Sequence, residues 1–204
     1  MCTREGQLVR LIQTVQKIQG RGVVRMNDDL VNRAYLVLGS NINPEQNLPA
    51  AIRLLESYGR IIAVSRVWET PPVDGSDQPN YLNAAVMLET WQSAEELCRD
   101  VTPTVERSLN RIRDPNNKYA PRTIDIDLAL FNREILQIDD CRIPDPEIVV
   151  RPFMLIPLAE IDPAYVHPES ELTLLEVCQI TKLKATWMRV RRDVVLWPHT
   201  ESHH

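Results

Sequence analysis

Apolar spacing between about residues 34 and 131 runs strand, helix, strand, strand, helix, strand. That order predicts an α+β protein of the ferredoxin-like βαββαβ kind, an antiparallel sheet with helices on one face, followed by C-terminal additions. Three observations carry this prediction. Short apolar runs end at Gly, Asn or Pro, and two longer stretches repeat apolar residues at helical spacing. A run from Thr123 to Phe131 alternates carboxylate with apolar side chains before turning wholly apolar, the period of a strand with one polar face.

The first strand spans Ala34 to Leu38 and stops at Gly39-Ser40-Asn41. Pro49 to Tyr58 places Ala51, Leu54 and Leu55 on one helical face, with Gly59 as its stop. Ile61 to Trp68 reads as the second strand. The stretch from Thr70 to Pro79 cannot extend it, because Pro71 and Pro72 remove donors and fix φ, so a long rigid loop is expected. Tyr81 to Trp91 is the third strand. Ser93 caps a helix to Leu109 whose apolar face is Leu97, Val101, Val105 and Leu109, with Pro103 predicting a kink or a late start. The acidic strand is the fourth. A short extra strand is expected at Glu134 to Ile138, and helices at Pro152 to Glu160 and Thr173 to Ile180.

Three segments follow. Residues 1–33 form an N-terminal extension, helical or disordered, in which Leu8, Leu11, Ile12, Val15 and Ile18 share a face and Met26 offers an alternative start. Residues 34–180 form the domain, and residues 181–204, with Trp187 and Trp197, a tail without an assigned place.

The chain has 204 residues, long enough for one sizeable core, with ordinary globular proportions of 44% hydrophobic and 25% charged residues. Its net charge of −5 disfavours nucleic acid and anionic membrane as partners, so any anion site must be local. Cys2, Cys98, Cys141 and Cys178 lack Cys-x-x-Cys spacing, which argues against a zinc site or a disulfide scaffold and for a reduced, cytoplasmic setting. No apolar run is long enough to span a membrane.

Asp125 and Asp127 project from one side of their strand, about 7 Å apart at roughly 3.3 Å per residue. Carboxylates so placed repel unless a cation lies between them. Hard oxygens of this kind suit Mg²⁺, which completes its shell with water and substrate phosphate. Upstream, Arg111, Arg113, Lys118 and Arg122 offer charge to phosphate oxygens. On pattern alone a second reading stays open: a surface strand beside a solvated salt-bridge cluster.

The segments Gly39-Ser40-Asn41, Thr70-Pro71-Pro72, Asp77-Gln78-Pro79-Asn80-Tyr81-Leu82-Asn83-Ala84, Pro121-Arg122-Thr123-Ile124-Asp125-Ile126-Asp127 and Arg151-Pro152-Phe153-Met154-Leu155-Ile156-Pro157-Leu158 resemble, in order and spacing, those of the hydroxymethyldihydropterin pyrophosphokinases of folate biosynthesis. The resemblance runs from about Ala34 to Pro163 and implies the same ferredoxin-like fold. It also implies transfer of the terminal pyrophosphoryl group of ATP to the hydroxymethyl oxygen of 6-hydroxymethyl-7,8-dihydropterin, with release of AMP. By that resemblance Asp125 and Asp127 hold two Mg²⁺ ions, Arg111 and Arg122 grip phosphate, and these four form the catalytic set. Arg113 belongs to a mobile loop, and Glu106, Leu128, Asp145 and Arg151 complete the nucleotide site with the arginines. Tyr81 and Phe153 sandwich the pterin, Asn83 reads its polar edge, and the segment of Thr70, Pro72 and Asp74 reads the remaining ring atoms. The implied partners are small molecules, ATP and the reduced pterin, with neither nucleic acid nor membrane, and association with another folate enzyme stays open.

The pattern also departs from the family. Asp145 stands where a histidine is usual, Asn110 and Ala120 replace glycines, Tyr119 replaces a tryptophan, Asp74 replaces a glycine, and the loop is one residue longer. An anion at Asp145 is expected to weaken ATP binding unless it turns away. Two alternatives stand beside the transfer reaction: action on another heterocyclic alcohol, and pterin binding without transfer.

Overall fold

The computed structural model describes residues 31–114, 117, 120–181 and 187–197. Expectations for residues 1–30, and for Lys118 and Tyr119, lie outside the described residues.

Strand β1 (Asn32–Ser40) is interior to the sheet, as an unbroken apolar run requires. It pairs antiparallel with β4 (Tyr81–Thr90) on one side and β5 (Asp125–Phe131) on the other. Beyond β4 lie β2 (Arg60–Val64) and β3 (Val67–Thr70), and β3 pairs in turn with β8 (Arg189–Arg191). A separate hairpin joins β6 (Leu136–Ile138) to β7 (Cys141–Ile143). The order β5-β1-β4 with β2 and β3 beyond β4 is that of the expected βαββαβ unit, to which β8 adds an edge.

Alternation on β1 and β4 divides the interior in two. Ala34, Leu36 and Leu38 meet Leu48, Ile52 and Leu55 of α1 (Pro44–Leu55) and Leu97, Val101 and Val105 of the second helical run. On the opposite face Tyr35, Val37, Ala85 and Met87 pack against Met154, Leu155 and Leu158 of α4 (Pro152–Ile161) and Leu174 and Val177 of α5 (Leu174–Thr181). The βαββαβ helices thus share one face, and the C-terminal additions cover the other. Among the described residues no helix is long and apolar enough to cross a membrane.

The second helical run begins at Ser93, whose side chain and that of Glu96 cap each other reciprocally. It comprises α2 (Ala94–Glu96), a π-helical turn over Leu97–Val101, and α3 (Thr102–Ser108). Pro103 has no N–H to give the carbonyl of Arg99, and the wider turn just before it accommodates the loss. The kink expected at this proline takes that form.

Four features differ from the pattern. Helix α1 begins at Pro44, not Pro49, because Asn43 takes a left-handed φ of 45° that turns the chain into the helix. The expected single strand from Ile61 to Trp68 is two, since Ser65 breaks the ladder by accepting the Ala85 N–H at 2.8 Å with its side chain. Residues 189–191 form an edge strand, and Leu196, 6% exposed, joins the first core.

The fourth difference corrects the reading of the cysteines as reduced: Cys98 and Cys141 form a disulfide, with Cα atoms 6.6 Å apart. Their pairing depends on the π-helical turn packing beside the hairpin, which spacing in the chain cannot reveal. The same two elements are tied by Arg99, which donates to Asp139 at 2.8 Å. Closing a sequence separation of 43 residues, the bridge should contribute about 2–4 kcal/mol. Cys98→Ser is therefore expected to lower Tm by about 5–10 °C relative to the oxidised chain. Dithiothreitol should lower Tm of the original chain equally and leave the variant unchanged.

Candidate active site

The registers Gly39↔Asp125 and Gly39↔Asn83 set Asp125, Gly39 and Asn83 in one row across β5, β1 and β4. Val37↔Asp127 makes the next row, and Tyr81 pairs with Thr70 beyond Asn83. All face the side covered by α4 and α5. A Cβ at Gly39 would stand 3.2 Å from Asn83 Oδ1, so the missing side chain keeps the middle of the row low.

Over this floor lies a cavity of about 210 Å³. Small-molecule clefts usually begin near about 300 Å³, so it suits a single small ring system. Thr70, Pro72, Asp74, Tyr81, Asn83 and Phe153 line one part of it. Arg122, Asp125, Asp127, Asp145 and Arg151 line the other. Eleven of the residues expected at the site thus share one cleft.

Tyr81 and Phe153 are half-buried in the lining, and burial raises the Tyr81 phenol against the lowering influence of Arg122. The Asn83 amide NH₂ donates to Thr70 Oγ1 at 2.9 Å and to the Trp68 carbonyl at 3.4 Å. What Asn83 offers a ligand is therefore its carbonyl oxygen, not the donor and acceptor pair expected. Asp74 accepts from Ser76, and that bond holds its carboxyl below the usual range.

The two acids differ in surroundings. Asp125 is paired with Arg122 and lies 3.7 Å from Arg111, both arginines being well covered. Asp127 is exposed to the solvent of the cleft, where protein and several acids crowd around it. Burial first, then the negative charge of Asp125, Asp145, Glu106 and Glu147, pushes its carboxyl far above the ordinary range. Such crowding is relieved by a cation.

Arg122 sits with its guanidinium 5.9 Å over the Tyr81 ring. Burial works against its charge, but Asp125 and Tyr81 outweigh it and raise its pKa. Arg111, at 7% side-chain exposure, is lowered chiefly by burial, and its Nε is buried without a partner. A buried guanidinium donor beside the cleft's acids is of the chemical type that suits an anion.

Four expected residues do not line the cavity. Arg111 reaches it only through Asp125. Glu106 on α3 is buried, accepts the Ile126 N–H at 3.0 Å between the two acids, and accepts from Arg113 at 2.8 Å through its other oxygen. Arg113 is otherwise 71% exposed. Leu128 points into the first core, so only its backbone is available to a ligand. Asn110 has φ 59°, the left-handed conformation that Asn tolerates next best after Gly, so its replacement of a glycine leaves that corner intact.

Asp145 does not turn away: it lines the cavity while one oxygen accepts the Glu147 N–H at 2.7 Å. Glu147, which sequence reading missed, also lines the cavity and stands 3.4 Å from Arg151. Nothing in its flanking sequence distinguishes it from a surface glutamate. Val37 and Gly39 were missed as lining residues too, although alternation from Asp125 through the pairing partner would find them.

Residues 35–163 match the family model described as 7,8-dihydro-6-hydroxymethylpterin-pyrophosphokinase (HPPK). Among curated relatives, the 2-amino-4-hydroxy-6-hydroxymethyldihydropteridine pyrophosphokinase of Bacillus subtilis is 39% identical over 133 residues, 64% of this chain and 78% of the relative. That of Synechocystis is 35% identical over 156 residues, 76% of this chain and 78% of the relative. Among solved structures, wild-type HPPK-DHPS of Plasmodium falciparum superposes with a TM-score of 0.58 at 17% identity over 74% of this chain, which supports the fold. This chain spans 44% of that longer one. With more than half its length matched, and the matched stretch containing most of β1, every element from α1 through α4 and every residue that lines the cleft, the chain belongs to the 7,8-dihydro-6-hydroxymethylpterin-pyrophosphokinase family.

Proposed function

We propose that this cleft transfers the terminal pyrophosphoryl group of ATP to the hydroxymethyl oxygen of 6-hydroxymethyl-7,8-dihydropterin, a step of tetrahydrofolate biosynthesis. The observation that carries the reading is the row Asp125–Gly39–Asn83, which brings the acid pair and the ring-binding residues to two ends of one floor. Tyr81 and Phe153 hold the pterin ring, with the Asn83 oxygen accepting from its polar edge. Arg122 and Arg111 turn from Asp125 to the phosphate oxygens, where their charge steadies the group in flight. The pterin oxygen bonds to the β-phosphorus, the bond from that phosphorus to the bridging oxygen of AMP breaks, and the hydroxyl proton leaves to water.

The donor set fits divalent cations: paired carboxylates on one strand face, one of them crowded by negative charge. Among the described residues no cluster of three or more His, Cys, Asp or Glu is arranged to hold a metal, so phosphate and water must complete the shell. Held by Asp125 and Asp127, Mg²⁺ supplies charge neutralisation at the phosphate being transferred.

Incubation with ATP, Mg²⁺ and the pterin alcohol should release AMP. ADP, or no nucleotide product, would count against the reading. Two variants probe the cleft further. Gly39→Ala pushes on the Asn83 carboxamide and should raise KM for the pterin about tenfold with little change in kcat, the scale of one misplaced hydrogen bond. Asp145→Asn removes a negative charge beside the nucleotide and should lower KM for ATP about threefold to tenfold in steady-state assays.

A further inference from the structure

Asn41 is 3% exposed, yet the transfer chemistry makes no use of it. Its Oδ1 accepts the backbone N–H of Arg122 at 2.7 Å. An N–H can only donate, so this bond fixes the carboxamide orientation and turns the NH₂ toward Gln78 Oε1 at 3.2 Å and the Pro79 carbonyl at 3.3 Å. The backbone N–H groups of Asn41 and Ile42 both donate to the Arg122 carbonyl at 3.1 Å. One amide at the end of β1 is therefore bonded to two segments. One carries the phosphate-side arginine; the other is the loop leading into Tyr81, whose ring lies beneath that arginine.

We propose that Asn41 is a positioning residue that couples the two substrate subsites, holding the pterin loop and the Arg122 segment in one arrangement. The inference rests on the transfer reading above. Its physical basis is that a buried carboxamide with all three groups bonded transmits a displacement of one loop to the other, because separating them leaves a buried polar group unpaired.

Asn41→Asp separates the two connections. The carboxylate still accepts from Arg122, but it sets an oxygen against the Pro79 carbonyl, and the Gln78 carboxamide must turn over from its present orientation to meet it. KM for the pterin alcohol should rise about tenfold, the worth of one or two hydrogen bonds, with kcat and KM for ATP within about twofold of the original. Asn41→Ala cuts both connections, and kcat should fall about tenfold as well. Partial unfolding lowers apparent kcat through the active fraction and leaves KM untouched, so a merely structural role produces neither pattern. Gln78→Ala should raise the pterin KM by a smaller factor and add nothing to Asn41→Asp, since both cut the same connection.

An unchanged pterin KM in Asn41→Asp overturns the coupling. If the original chain releases no AMP, the transfer reading fails separately, and calorimetry with the pterin alcohol then decides on Asn41. About tenfold weaker binding by Asn41→Asp supports the coupling, and equal binding overturns it.

Discussion

Alanine at Asp127 or at Asp125 is expected to slow AMP release at least about a thousandfold, because each removes a ligand for the charge that offsets the triphosphate. The two variants should differ in stability. Asp125 answers Arg122 and Arg111, so Asp125→Ala leaves two covered guanidinium groups without their carboxylate, a cost of about 1–3 kcal/mol. Asp127 has acids around it, and its removal relieves repulsion. Thermal melts without divalent cation should show Asp125→Ala below the original chain and Asp127→Asn above it at alkaline pH.

The pH dependence follows with a definite sign. Between 3.8, where an unfolded Asp titrates, and about 8, the native chain retains a proton on Asp127 that the unfolded chain gives up. Stability in EDTA should fall as pH rises across that window. Asp127→Asn should flatten the slope, and equal slopes for both chains would contradict the environment assigned to Asp127.

Arg122→Ala is expected to cost about a hundredfold to a thousandfold in kcat. Its guanidinium serves Asp125 and Tyr81 in the absence of substrate and the phosphate in its presence. Arg122→Lys keeps the charge but loses the planar fork and the stacking over Tyr81, so about a tenfold loss is expected. Single-turnover AMP release with both substrates saturating separates these values from binding effects. A fully active Arg122→Ala would remove this residue from the catalytic set.

The core elements were legible because their periods are unmixed. Ala34 to Leu38 is continuous enough to demand burial on both faces, and Asp125 and Asp127 alternate with Ile124 and Ile126 so that the polar face declares itself. Where one residue decides locally, the pattern fails. Ser65 splits a strand through a single hydroxyl, and Asn43 starts a helix ahead of a proline that looks like its first residue. Strand β8 has three residues and no alternation of its own, existing only because β3 offers an edge. At the site, acids, arginines and rings were readable from type and spacing. The spent donors of Asn83, the placement of Leu128 in the core and the arrival of Glu147 depend on neighbours distant in the chain.

The short strand β8 has a bearing on solubility. Without it, β3 would present a bare row of amide and carbonyl groups to which another chain could add as a strand. Arg191 anchors the cover through Glu45 of α1 and Glu69 of β3, and charged side chains along such a margin discourage stacking between molecules. A chain shortened to end before Arg189 loses that guard and becomes prone to polymerise along its own sheet.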